Sequence, residues 1–245
     1  MNYIVFDLEF NQDFSTAGNG RTDRPCFEII QIGAVKLDRY FNVTDTMMRY
    51  VKPTIYPVVN PFVTELTGIT TDQLAAAETF PEVYQAFTEF ADGTESVFCI
   101  WGMADMKELY RNIEYHHLNH RELSKRYVNL QPVAAHHFTL PKKKLLKLKA
   151  AAEMFHIPLV YTFHNALHDA LYTAEILKKV GSEPIRPQRY DPEQCAVRPR
   201  QPKQKIDFRS LILQFEKMYA RKLTDEEQSM VKLAYQMGKT RQFLK

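Results

Sequence analysis

Cysteine is scarce in this chain, and the scarcity removes two classes of protein at once. The three cysteines, Cys26, Cys99 and Cys195, are odd in number, far apart and outside metal-ligand spacing. Neither a disulfide scaffold nor a cysteine-built zinc centre is expected, and a reducing cytoplasm is the expected setting. No apolar run approaches the roughly 20 residues that span a bilayer, so no membrane partner is expected. The N-terminal residues enter a strand pattern at once, so no signal leader is expected. Glycine occupies only eight positions, and Gly33 and Gly68 belong to no glycine-rich phosphate loop. Repeats and low-complexity tracts are also missing. The 245 residues are enough for one sizeable domain with an appendage.

Charge is uneven along the chain. Residues 1–181 carry 18 Lys and Arg against 21 Asp and Glu, a net of −3. Residues 182–205 carry six against three and residues 206–245 eight against five, so each adds +3. An acidic body disfavours polyanions unless bound cations reverse the local sign. The basic tail is suited to phosphate contacts, and equally to being a solvated extension.

The order of elements predicts a mixed sheet. An apolar run at residues 2–9, a second at residues 27–37 and a third reaching Val51 are closely joined and read as an antiparallel meander. The polar segment Asn11 to Pro25 reads as a loop. Residues 53–92 read as short helices, with Pro61 at one start and Pro81 before the amphipathic Val83, Phe87 and Phe90. Val97–Trp101 is continuously apolar, as a strand covered on both faces would be. A helix over 103–118, a short strand over 127–130 and helices from about Pro141 to Phe155 and Asn165 to Val180 follow. The expectation is an α/β fold with a mixed five-stranded sheet flanked by helices. Residues 182–205 hold five of the 13 prolines and no glycine, which predicts a stiff linker. Residues 206–245 read as two helices, with a capping box at Thr224 and Glu227. Two short helices bury little core alone, so docking on the body, on a protein partner or on a second copy is expected.

Asp7 and Glu9 close the first apolar run two residues apart, a spacing that puts both carboxylates on one face of a strand. Two adjacent acids repel unless a proton or cation lies between them, and oxygen ligands suit Mg²⁺ or Mn²⁺. Asp105 follows the Val97–Trp101 run, outside a strand end, where sites gather in α/β sheets. His164 and Asp169 complete the set. Five residues turn a helix by about 140°, so both reach one site only if His164 precedes the helix and Asp169 lies inside its first turn. Ala166, Ala170 and Ala174 form a small-residue stripe that lets this helix lie close to a neighbour. Four acids can hold two divalent ions about 3.5–4 Å apart, an arrangement that cleaves phosphodiesters. A histidine supplies a proton acceptor that works near neutral pH. Taken singly, Asp105 equally reads as a helix cap and His164 as a loop histidine.

These motifs resemble the DEDDh group of 3′→5′ exonucleases, within the ribonuclease-H-like fold, over roughly residues 1–181. Phe6-Asp7-Leu8-Glu9 is similar to the first motif, Trp101 to Asp105 to the second, and His164 to Ala170 to the third. Residues 28–35 resemble the family's second strand. Asn60 to Thr70 resembles the segment beside the 3′-terminal nucleotide. The Trp-Gly-x-x-Asp form and Glu65-Leu-Thr-Gly-Ile-Thr70 are closest to the ERI-type and KapD-like branch. The resemblance implies Asp7, Glu9, Asp105 and Asp169 as ligands of two Mg²⁺ or Mn²⁺ and His164 as general base. It also implies Leu8, Phe10, Leu66 and Thr67 as substrate contacts, and single-stranded nucleic acid, RNA before DNA, as substrate. An oligoribonuclease-like enzyme, or a catalytically weak nucleic-acid-binding protein, are the alternatives. Gly102 and Ala104 depart from the Asn-x-x-Phe-Asp pattern of proofreading relatives, and nothing after residue 181 matches the nuclease motifs.

Three further features carry little. His116, His117, His120, His136 and His137 lack partner cysteines. Lys142 to Lys144, Lys147 and Lys149 read as a solvated helix face. Trp101 reads as a wedge at a strand end.

Overall fold

The first apolar run forms β1 (Tyr3–Gln12), which continues past both acids and carries a register shift between Glu9 and Phe10. Ile4, Phe6 and Leu8 belong to one buried cluster and Val5 to another, so β1 is covered on both faces. β2 (Phe27–Leu37) runs antiparallel to it, with Asp7 opposite Gly33 and Glu9 opposite Gln31. β3 (Val43–Tyr50) extends the meander as expected.

Next come α1 (Pro61–Thr67), α2 (Thr71–Ala75) and α3 (Phe80–Phe90). α1 starts at a proline behind an Asn60 cap, and α2 at a Thr70–Gln73 capping box. β4 (Val97–Ile100) is wholly buried and parallel to β1, pairing with it over Tyr3–Val5. Residues 6–12 of β1 therefore run on past β4 and leave an open end. α4 (Ala104–Tyr115) follows, then β5 (Arg126–Asn129), parallel to β4. α5 (Leu130–His137), α6 (Leu148–Met154) and α7 (Ala166–Val180) form the second helical layer. α3 and α4 pack Phe87, Met106 and Leu109 on Phe6, while α7 packs Ala170, Ala174 and Ile176 in the cluster of Val5.

The structure describes residues 2–12, 24–141, 145–181, 186–192 and 207–239 of a computed structural model. Cys195, Lys142 to Lys144, and most of the expected loop and linker lie outside them. Among the described residues no helix is long and apolar enough to cross a membrane.

Three expectations need correction. The sheet has six strands, in the order β3-β2-β1-β4-β5-β6, because β6 (Gln188–Arg189) pairs antiparallel with β5. These residues fall inside the expected linker. Tyr190 explains the difference: it is 4% exposed, its N–H donates to the Lys125 carbonyl, and its ring meets Tyr110 at 4.8 Å. An aromatic anchor outweighs the local proline bias. The helix expected from Pro141 is only α6, because the Leu146 carbonyl accepts from Trp101 Nε1 and Gln131 Nε2 instead of an intrahelical donor. The same bond seats Trp101 against that segment. Lastly, α5 follows β5 directly, with Asn129 capping it, where only a strand was expected.

The chain divides into two compact units, Met1–Ala196 and Val197–Lys245. Taken by itself, the second contains α8 (Phe208–Tyr219) and α9 (Asp225–Lys239). Asp207 caps α8, and the expected Thr224–Glu227 box opens α9. α8 buries none of its residues fully, in keeping with a pair of helices that lacks a core of its own.

Trp101 is the only tryptophan and lies in the first unit, so its fluorescence reports the unfolding of that unit. Tyr190→Ala should lower the denaturant-unfolding free energy read from Trp101 by about 3 kcal/mol, the usual cost of deleting a buried ring. An unchanged midpoint would show that β6 is ornamental.

Candidate active site

Four acids and one histidine converge at the open end of β1. Asp7 and Glu9 project from β1 on the side facing α7. Asp105 arrives from the first turn of α4, aimed by the turn after β4. That turn needs Gly102, whose φ is 93° and whose N–H donates to Asn129 Oδ1 at 3.0 Å. Asp169 lies in the first turn of α7, and Asn165 caps that helix by accepting the His168 N–H. His164 stands before the cap with φ 63°, exposed, outside the helix. The split into a loop histidine and a helical acid is thus the arrangement that lets both face one site. Ligand atoms of Glu9, His164 and Asp169 all lie within 4.8 Å of one another.

Each acid of the set alters the ionisation of its neighbours. Burial, then the charges of Asp105, Asp169 and Glu9, hold Asp7 well above the usual carboxylate range. Burial pushes Glu9 up to about 8, with Asp169 and Asp105 adding to it. Burial likewise raises Asp105 to about 7, although its own N–H and that of Leu8 donate to it. Asp169 is raised to about 6 by burial, opposed by the His164 N–H, which donates to Oδ2 at 3.2 Å. Its other oxygen, Oδ1, is buried without a hydrogen-bond partner among the described residues.

A cluster of carboxylates that suppress one another's ionisation, with an orphaned buried oxygen, is the environment a cation relieves. Carboxylate oxygens suit a hard divalent ion. The residues present therefore fit a divalent metal centre.

Two residues outside the expected set hold the geometry. A Cβ added to Gly33 would fall 2.0 Å from the Leu167 nitrogen and 2.1 Å from the Ala166 carbonyl carbon. Only hydrogen at that position lets the first turn of α7 rest on β2. Gln31, fully buried, accepts the Ala166 N–H at 2.9 Å. Since Gly33 and Gln31 face Asp7 and Glu9 across the ladder, they set Asp169 beside those acids. The sequence signal was Gln31-Ile-Gly33, an amide and a glycine within the otherwise apolar stretch Ile29 to Val35 of β2.

The expected substrate contacts fare differently. Leu8 is 3% exposed in the core, because i+1 on a strand points away from i and i+2, so its side chain is unavailable and only its N–H reaches the acids. Phe10 is half-buried, its ring 5.9 Å from Phe27. Leu66 is exposed on α1. The Thr67 hydroxyl is engaged, donating to the Val63 carbonyl and accepting the Ile69 N–H. The α1 segment is tied to β1 and β2 by Asn11 and Glu28. Asn11 Nδ2 donates to the Tyr56 and Val58 carbonyls, and the Glu28 carboxylate accepts the Ile55 and Tyr56 N–H groups.

A six-stranded mixed sheet with helices on both faces and carboxylates at the open end of a central strand defines a ribonuclease-H-like fold with an acidic centre that fits a divalent ion. The chain belongs to the RNase_T exonuclease family, which its residues 4–177 match. It is 27% identical over 186 residues to 3'-5' exoribonuclease 1 of Mus musculus, covering 71% of this chain and 52% of that protein. It is 32% identical over 185 residues to the PolC-type DNA polymerase III of Caldanaerobacter subterraneus, covering 73% of this chain and 11% of the polymerase. The nuclease domain of 3'hExo, a DEDDh family member bound to rAMP, superposes with a TM-score of 0.66 at 24% identity, over 78% of this chain and 97% of that domain. The chain spans about half the length of the exoribonuclease it matches.

Acids raised in the folded state keep their protons there, so between about pH 4 and about pH 8 the folded protein binds more protons than the unfolded chain. With chelator present, the melting temperature should fall as pH rises through that window. Added Mg²⁺ or Mn²⁺ should raise it more at pH 8 than at pH 5, because metal binds the deprotonated acids. A flat chelated profile would contradict a coupled acidic cluster.

Gly33→Ala forces α7 off β2. It should lower stability by about 1–3 kcal/mol, as overpacking does, and raise the metal concentration needed for half-maximal stabilisation. Wild-type values of both would remove Gly33 from the site's support.

Proposed function

We propose that this chain is a 3′→5′ exonuclease that releases nucleoside 5′-monophosphates from single-stranded nucleic acid, RNA in preference to DNA. The observation that carries the reading is the approach of Glu9, His164 and Asp169 to within 4.8 Å, beside two further acids coupled to them. Asp7, Glu9, Asp105 and Asp169 would hold two ions, Mg²⁺ or Mn²⁺. When bound, such ions make water more acidic and offset charge on the leaving oxygen.

The chain's own residues supply the rest. His164, exposed before α7, accepts the proton of the attacking water at an imidazole nitrogen. The new bond joins that oxygen to phosphorus, and the bond to the 3′ oxygen of the preceding nucleotide breaks. Asp169 accepts the His164 N–H, so one helix turn sets both the ligand and the base. Phe10 and Leu66 offer apolar surface to the terminal nucleotide. Support for RNA comes from the exoribonuclease relatives, which this chain matches over about half their length, against 11% of the PolC-type polymerase. The fold and charge pattern equally accept DNA.

Labelled at the 5′ end, RNA and DNA oligomers should shorten one nucleotide at a time with Mg²⁺ or Mn²⁺, the RNA faster. Asp7→Ala should abolish turnover and His164→Ala should lower kcat by roughly 10²- to 10⁴-fold. Internal cuts without a ladder, or full activity of Asp7→Ala, would overturn the reading.

A further inference from the structure

We infer that Tyr172 is a positioning residue for His164, holding the loop that presents it to the site. The inference rests on His164 as the proton acceptor. Tyr172 lies in α7, three residues beyond Asp169, and is 2% exposed. Its hydroxyl makes two bonds to one residue of the approach loop. It donates to the Tyr161 carbonyl at 2.8 Å and accepts the Tyr161 N–H at 2.8 Å. Its ring stacks on Phe163, the residue before His164, with centroids 4.7 Å apart and planes 16° from parallel.

The neighbouring residues of the loop are held by the same two helical turns. His168 Nδ1 lies 3.0 Å from the Thr162 carbonyl oxygen, and Asp169 Oδ2 accepts the His164 N–H. Positions 161, 162, 163 and 164 are thus each tied to α7, through Tyr172, His168, Tyr172 and Asp169 in turn. Among the described residues the segment has no strand partner, and Leu159, Val160 and Tyr161 are exposed, so burial contributes little to its order. His164 sits at φ 63°, a left-handed conformation that a non-glycine residue keeps only when its surroundings over-determine it. A hydroxyl that satisfies both backbone groups of Tyr161 replaces the missing ladder. A phenylalanine there would keep the stack and the buried volume but leave both groups without their partner.

The test uses the full chain with Mg²⁺ and a 5′-labelled oligonucleotide. Tyr172→Phe should lower kcat roughly tenfold or more, since small displacements of a reacting group are costly. KM should stay within about twofold, and the Mg²⁺ concentration for half-maximal stabilisation should not move, because Asp169 keeps its place. In the His164→Ala background the same substitution should change the residual rate by less than about twofold, as two residues acting through one step do. Wild-type kcat in Tyr172→Phe, a full further loss in the His164→Ala background, or a weakened metal response would each overturn the positioning role. Wild-type turnover of His164→Ala alone would overturn the base assignment, and this inference with it, without Tyr172 being touched.

Discussion

The first turn of α7 lies on β2 with no side chain between them, at a distance that only a glycine at position 33 permits. That close approach is the constraint from which the rest of the site follows. Gln31 fixes the turn axially by accepting the Ala166 N–H, and Asn165 caps it. Once the turn is seated, Asp169 faces Asp7 and Glu9, and the loop before it carries His164 to the same place. A helix displaced by one side-chain layer would leave the acids of β1 without their partner.

Such a site works against the fold that carries it. Burial, and then mutual repulsion, raise the pKa values of the four carboxylates at this end of the sheet, a cost the scaffold must offset. The scaffold has the means, because β1 lies between two apolar clusters and β4 is buried throughout. Divalent cations convert this repulsion into binding, so the same arrangement that costs stability when empty of charge compensation favours metal uptake. Function and instability share one origin here.

Much of this was legible from residue order. Asp7 and Glu9 were readable because strand alternation is a local rule, and the His164–Asp169 spacing because a helix start can be placed within a residue or two. Asp105 was readable from its position after an apolar strand. The side chain of Leu8 lies in the core, because the same alternation that pairs Asp7 with Glu9 sends it there. Gln31 and Gly33 passed without a role because their contacts are with residues 166 and 167, far along the chain. α5 was missed and the helix expected from Pro141 is shortened to α6, because the Asn129 cap and tertiary bonds to Leu146 decide where those helices begin. β6 was hidden in a proline-rich stretch whose strand character comes from pairing with β5 and from the burial of Tyr190.

Local chemistry, then, is enough to pick out the acidic cluster with its histidine, its fit to a divalent ion and the family to which the chain belongs, since residue type and short-range periodicity carry that information. Distances are another matter. The 4.8 Å meeting of Glu9, His164 and Asp169, the burial of Asp169, and the two hydrogen bonds between the Tyr172 hydroxyl and Tyr161 depend on how a helix packs on a sheet. They join residues of β1, α7 and the loop between helices through contacts that no local pattern encodes, and so they become visible only when the chain is folded.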